Sequence, residues 1–212
     1  GKKLPYVSRG GLKLEKALKA FDLSVEGKTL LDIGASTGGF TDAALQNGAK
    51  MSYALDVGYN QLAWKIRQDP RVVVMERVNF RYAKPEDFTL GIPEVAVIDV
   101  SFISLKLMLP PLHAILKEEG EVIALIKPQF EAGREAVGKN GIVRDPQTHQ
   151  KVLEDILSFA AQGGYDVLEL SYSPITGGEG NIEFLAHLRK VPESGTIYSA
   201  INMAEVVSNA HE

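Results

Sequence analysis

Five short apolar runs, set apart by glycines, turns and helical stretches, constrain this chain more than anything else in it. They are "KTLLDI" (28–33), "MSYAL" (51–55), "VVV" (72–74), "EVAVID" (94–99) and "EVIALI" (121–126). Apolar spacing predicts helices from about Gly39 to Asn47, about Asn60 to Gln68, near 105–117, and about Pro146 to Gln162. The last carries Val152, Ile156, Phe159 and Ala160 on one face and stops at Gly163 and Gly164. Ahead of the first strand, Leu14, Ala17, Leu18 and Phe21 fall at i, i+3, i+4 and i+7. That spacing predicts an amphipathic helix over about 8–21, with Ser8 as its N-cap and Lys13 and Lys16 off the apolar stripe. Strands alternating with helices build a parallel sheet covered on both faces. Two late runs, "YDVLELSY" (165–172) and "IEFLAHL" (182–188), have only a glycine-rich turn between them and should pair antiparallel.

The expected fold is therefore α/β, with a seven-stranded, mostly parallel sheet whose last strand is antiparallel and helices on both faces. That is the Rossmann-like class I methyltransferase arrangement rather than the dehydrogenase one. A chain of 212 residues, 45% hydrophobic, suits one such domain. We assign it residues 1–190 and read 191–212 as a loose linker and short helix. With no cysteine and four scattered histidines, no metal site is expected. The apolar runs are far shorter than the roughly 20 residues of a membrane helix, which predicts a soluble, cytoplasmic protein without a membrane partner. The first residue is Gly1, which reads as a piece of a longer chain.

Such sheets bind ligands beyond the carboxyl ends of their strands, and the chemistry-bearing residues cluster there. "LLDIGASTGGF" (30–40) follows the first strand and opens a helix, so Gly34, Gly38 and Gly39 can bring bare backbone close to a ligand. The spacing is D-x-G-x-x-x-G-G, unlike the dinucleotide fingerprint G-x-G-x-x-G, and adds the acid Asp32 on the strand. Asp56 ends the second strand, where nucleotide-type folds put a carboxylate on ribose hydroxyls, so an adenosyl ligand is favoured. Asp99 ends the fourth strand, Lys127 the fifth, and Glu183 stands early in the last, so three charges converge on one edge. The formal charge is −4, but residues 1–20 carry +5 against −9 for the rest, and that basic start suits phosphates.

"SRGGLKL", "LDIGASTGGFTD", "DVSFISL", "IKPQFE" and "GNIEF" resemble, in this order, the TlyA family of hemolysin-like ribosomal RNA 2′-O-methyltransferases. More distantly they resemble the FtsJ ribose methyltransferases. The resemblance covers residues 7 to about 190. It implies a catalytic tetrad of Lys13, Asp99, Lys127 and Glu183, and S-adenosylmethionine held by Gly34, Ser36, Gly38, Phe40, Asp56 and Asn79, beside Asp32 and Gly39 from the motif. It also implies ribosomal RNA within ribosomal subunits as partner and cytidine as target, and the basic start offers Lys2, Lys3, Arg9 and Lys16 as RNA contacts. Family members begin with a small RNA-binding module, and this chain starts after the point where that module would end.

A ribose 2′-hydroxyl has a high pKa, so its attack on a methyl sulfonium needs a base and in-line positioning. An amine serves only when neutral, and burial beside a second cation favours the neutral form. Lys127 is thus expected to take the proton, with Lys13 and Asp99 placing base and ribose and Glu183 fixing the array. A base N-methyltransferase is the nearest rival, but its [Asp/Asn/Ser]-Pro-Pro-aromatic motif is replaced here by Asp99, Val100, Ser101 and Phe102. The hemolysin label suggests a membrane-active protein, for which the basic helix has only a narrow apolar face. A catalytically idle RNA-binding module is the third alternative.

Overall fold

Residues 3–212, described by a computed structural model, are organised around one seven-stranded sheet. The prediction for Lys2 lies outside the described residues. In chain order the elements are α1 (Gly10–Ala20), β1 (Thr29–Ile33), α2 (Gly39–Gln46), β2 (Met51–Leu55), α3 (Trp64–Arg67), β3 (Val72–Met75) and β4 (Val95–Ile98). There follow α4 (Leu109–Ile115), β5 (Glu121–Ile126), α5 (Pro128–Glu131), α6 (Pro146–Gln162), β6 (Tyr165–Tyr172), β7 (Phe184–Lys190) and α7 (Met203–Ala210). The strand order is β3-β2-β1-β4-β5-β7-β6, and only β7 runs against its neighbours. The chain winds outward from β1 in one direction and from β4 in the other. The switch point therefore lies between β1 and β4, the place where such sheets leave a crevice for ligands.

Alternating side chains of the buried strands feed two cores. On one face Leu31, Ile33, Ile98, Ala124 and Ile126 pack against Leu109, Leu112, Leu153, Ile156 and Leu157 from α4 and α6. On the other, Leu30, Val95, Val97, Ile123 and Leu125 meet Leu14 and Ala17 of α1 and Ala43 and Ala44 of α2. Every residue of β1 is buried, as a central parallel strand requires. Helix α6 starts where Asp145 accepts from Gln147 N and ends at Gly163. Among the described residues no helix is long and apolar enough to cross a membrane.

Several expectations need correction. Ser8 makes no side-chain cap, and Arg9 holds the N-cap position of α1. Lys13 is buried, not off the apolar stripe. The helix expected over 60–68 shrinks to Trp64–Arg67, because Asn60 is left-handed (φ 58°) and Ala63 N is tied to Thr37 O. The helix expected over 105–117 splits into a 3-10 turn, Leu105–Leu107, and α4, since Pro110 and Pro111 cannot donate and so must occupy a first turn. β7 begins at Phe184, which leaves Glu183 in the turn before it. The expected linker is fastened: Val167 N donates to Thr196 O, Ile197 bridges Val167, and Val207 of α7 is buried in the core.

Asp32 is also placed otherwise than expected. It is fully buried, and its Oδ2 accepts from Thr41 Oγ1 at 2.8 Å while Thr41 Oγ1 also meets Ser52 Oγ at 2.9 Å. It joins β1 to α2 beneath the glycine loop. Desolvation, only partly offset by the Thr41 bond, pushes its carboxyl up to about 7. Below the ordinary aspartate pKa both folded and unfolded chains carry this proton. From there to about 7 only the folded chain keeps it, so stability falls as pH rises and levels off above about 7. Asp32→Asn removes this dependence. Denaturant titrations should show the variant gaining on the parent from about pH 4 to about pH 8, by on the order of 4 kcal/mol. Parallel curves would mean that Asp32 is ionised in the fold.

Candidate active site

Two cavities meet at the carboxyl end of the sheet. The first, of about 410 Å³, lies over β1, β2 and β4, with Ile33, Leu55, Val78, Val100 and Met108 among its apolar walls and Asp56, Asn79 and Asp99 among its polar ones. The second, of about 540 Å³, lies against the start of α1 and includes Arg9, Lys13, Phe40 and Ile175. Gly34, Ser36 and Asp99 line both. Gly34 has φ 89°, and a Cβ there would run into the Asp99 carbonyl, so only glycine lets β1 and β4 end this close together. Ser36 and Phe102, both on the first cavity, are left-handed as well (φ 51° and 64°). Strained non-glycine backbone of this kind clusters at functional sites.

The loop chemistry follows from that geometry. Asp56, carried by the end of β2, accepts from Ser36 N at 2.6 Å and from Gly58 N at 2.8 Å, which ties the glycine loop to β2. Each oxygen keeps a further lone pair for a ligand hydroxyl. Asn79 accepts from Arg81 N and so caps a 3-10 turn at the cavity wall. Gly38 and Gly39 each leave room for a neighbouring element, and Gly39 also lines the second cavity. A Cβ at Gly38 would meet Leu62 and Ile66, and one at Gly39 would collide with Ser8 Oγ, where α1 crosses the start of α2.

The four charged residues named from the sequence converge. Lys127 Nζ stands 2.5 Å from Asp99 Oδ1, and Lys13 Nζ 3.5 Å from Asp99 Oδ2 and 3.3 Å from Glu183 Oε1. The Lys127 side chain is only 9% exposed and that of Glu183 2%. Each charge thus has a partner, as buried charges must. Three helpers escaped the sequence reading. Ser101 Oγ accepts from Lys127 Nζ at 3.3 Å, Gln129 Nε2 donates to Glu183 Oε2 at 3.0 Å, and Gly177 leaves the space that Glu183 fills. Ser101 and Gln129 stand inside "DVSF" and "IKPQFE", but nothing in the sequence says which neighbours turn inward.

The basic residues are placed differently from one another. Lys3 and Arg9 are exposed, Arg9 on the wall of the second cavity. Lys16 is engaged within the fold, with Nζ donating to Tyr172 O at 2.9 Å and lying 3.8 Å from the Tyr172 ring centroid. Desolvation there lowers its pKa.

Comparison with known proteins fits this site. The model of the FtsJ-like methyltransferase family matches residues 6–190. The chain is 64% identical over 214 residues to a Bacillus subtilis protein named "Putative rRNA methyltransferase YqxC", covering all of this chain and 76% of that one. It is 45% identical over 184 residues to the 16S/23S rRNA (cytidine-2′-O)-methyltransferase TlyA of Mycobacterium tuberculosis, covering 87% and 68%. A crystal structure described as a "putative hemolysin" from Lactococcus lactis superimposes with a TM-score of 0.96 at 62% identity, covering 99% of this chain and all of that one. On its fold, its converging site and a match over most of its length, the chain belongs to the FtsJ-like methyltransferase family.

Proposed function

We propose that this chain transfers a methyl group from S-adenosylmethionine to a ribose 2′-hydroxyl of ribosomal RNA, with cytidine as acceptor nucleoside and ribosomal subunits in the cytoplasm as partner. One observation carries the reading: the Asp99 carboxylate bridges Lys127 and Lys13 at the seam of two cavities, with Glu183 behind. The name of the mycobacterial relative, which specifies cytidine 2′-O-methylation of rRNA, supports the substrate.

The first cavity fits the cofactor. Its apolar walls suit an adenine, Asp56 at the end of β2 suits the ribose hydroxyls, and Gly34 and Ser36 lead toward Asp99. S-adenosylmethionine bound there supplies a methyl group on a sulfonium, already activated for transfer. The chain's own residues must then handle the acceptor. Only the neutral amine can act, so Lys127 Nζ, after giving up its own extra proton to solvent, takes the proton that the hydroxyl loses as its oxygen bonds to the methyl carbon and that carbon parts from sulfur. Asp99, already beside that nitrogen, stabilises the ammonium that results. Lys13, set between two carboxylates, holds Asp99 and Glu183 in place. Phe102, 88% exposed at the cavity rim with Phe130 4.8 Å away, offers an apolar surface on which a nucleobase can stack.

Lys127→Arg separates a base from a mere cation, because a guanidinium keeps the charge and cannot accept the proton. Both Lys127→Ala and Lys127→Arg should lose roughly 10²-fold or more in kcat, with cofactor Kd changed only a few-fold. Near-parental transfer by either variant under saturating cofactor removes Lys127 from this role. The reading as a whole is tested by transfer from labelled cofactor to separated ribosomal subunits, using this chain and an upstream-extended one. Nuclease digestion and mass spectrometry should then place the methyl on a ribose. A methylated base nitrogen, or no transfer from either chain, would overturn it.

A further inference from the structure

The turn that follows Lys127 is fastened to the turn that follows β4 at three successive places. Lys127 meets Asp99 and Ser101, Phe130 meets Phe102, and Glu131 meets Ser104 and Leu105. The first two pairs belong to the reaction already described. The third touches neither cavity, yet it is made by two short hydrogen bonds. Ser104 Oγ donates to Glu131 Oε2 at 2.7 Å, and Leu105 N donates to Glu131 Oε1 at 2.8 Å. Both carboxylate oxygens are thus spent on one short segment, Ser104–Leu105, which closes the loop 99–103. That loop carries Asp99, Ser101 and the left-handed Phe102.

A loop holding a strained residue relaxes unless its far end is held. Its near end is set by β4, where Asp99 N donates to Ile33 O. Its far end is set by Glu131 and by Lys106, which pairs with Asp155 on α6 at 2.8 Å. Only the Glu131 bonds lead back to the element that bears Lys127. We propose that Glu131 is a positioning residue for methyl transfer, a clamp that locks the 99–105 loop to the Lys127 turn and so keeps Asp99 and Phe102 in register with Lys127. This rests on the proposed role of Lys127, but its first readout does not.

Glu131→Ala removes both bonds. Glu131→Gln keeps them in neutral form, with Oε1 accepting from Leu105 N and Nε2 donating to Ser104 Oγ. Ser104→Ala removes the Ser104 bond to Glu131, together with the cap that Ser104 Oγ places on Lys106 N, and leaves the Leu105 N contact to Glu131 intact, so it tests the clamp should the Glu131→Ala chain fail to fold. Hydrogen exchange at the amides of 100–105 should quicken roughly tenfold or more in Glu131→Ala, less in Ser104→Ala, and little in Glu131→Gln. Unchanged exchange in both alanine variants would overturn the clamp, whatever the substrate proves to be. In transfer assays Glu131→Ala should lower kcat roughly ten- to a hundredfold, and Glu131→Gln should restore most of it. The same change made in Lys127→Ala should cost little more, because a clamp acting through Lys127 has nothing left to align. An equal loss in both backgrounds would mean that Glu131 only stabilises the fold. A Glu131→Gln loss as large as that of Glu131→Ala would mean that its charge, not its reach, matters.

Discussion

Asp99 shares one carboxylate between two lysines that stand 114 positions apart in the chain, and the arrangement of the site depends on that sharing. Burying an ammonium without a partner costs several kcal/mol, so a charged Lys127 would not keep its place if Asp99 were neutral or displaced. Glu183 completes the balance by holding Lys13 from the other side. Lys13 and, once it holds the proton, Lys127 face two carboxylates in a nearly neutral array that can be desolvated. Such an array is worth more as a fixed geometry for proton transfer than as a source of stability.

The sheet is what makes the sharing possible. Parallel β4 and β5 are in register from Val95 opposite Glu121 to Ile98 opposite Ala124, which brings Asp99 and Lys127 to neighbouring strand ends. Antiparallel β7 then returns the chain to the same edge, with Ile126 opposite Phe184, and delivers Glu183 one residue ahead of its strand. Lys13 arrives differently. The packing of Leu14 and Ala17 against the sheet rolls α1 so that the residue before Leu14 faces Asp99. The apolar core thereby sets the geometry of the polar site.

Most of the architecture was legible because buried parallel strands need unbroken apolar runs, and these are hard to mistake. The β2, β5 and β6 boundaries match the runs read from the sequence, and so does α6, with its glycine stop. What failed was local and had specific causes. Paired prolines cut the 105–117 helix, a left-handed Asn60 shortened the 60–68 helix, and apolar spacing could not show that Lys13 points inward while Lys16 rests on Tyr172. Asp32, read from its motif as a ligand contact, is a buried strut. A motif records which residue is present but not which way its side chain points.

By itself the sequence determined the order of elements, the parallel core and the chemical kinds present at the strand ends, since these depend on hydrophobic period and on side-chain identity. Only the tertiary structure decided which charges share a partner, which glycines face a cavity and which face a helix, and how Glu131 crosses from one turn to the next. Those relations join residues up to 170 positions apart. They exist only once two helical layers have closed on the sheet, because a few ångströms decide whether a carboxylate meets an ammonium, and that distance is set by packing.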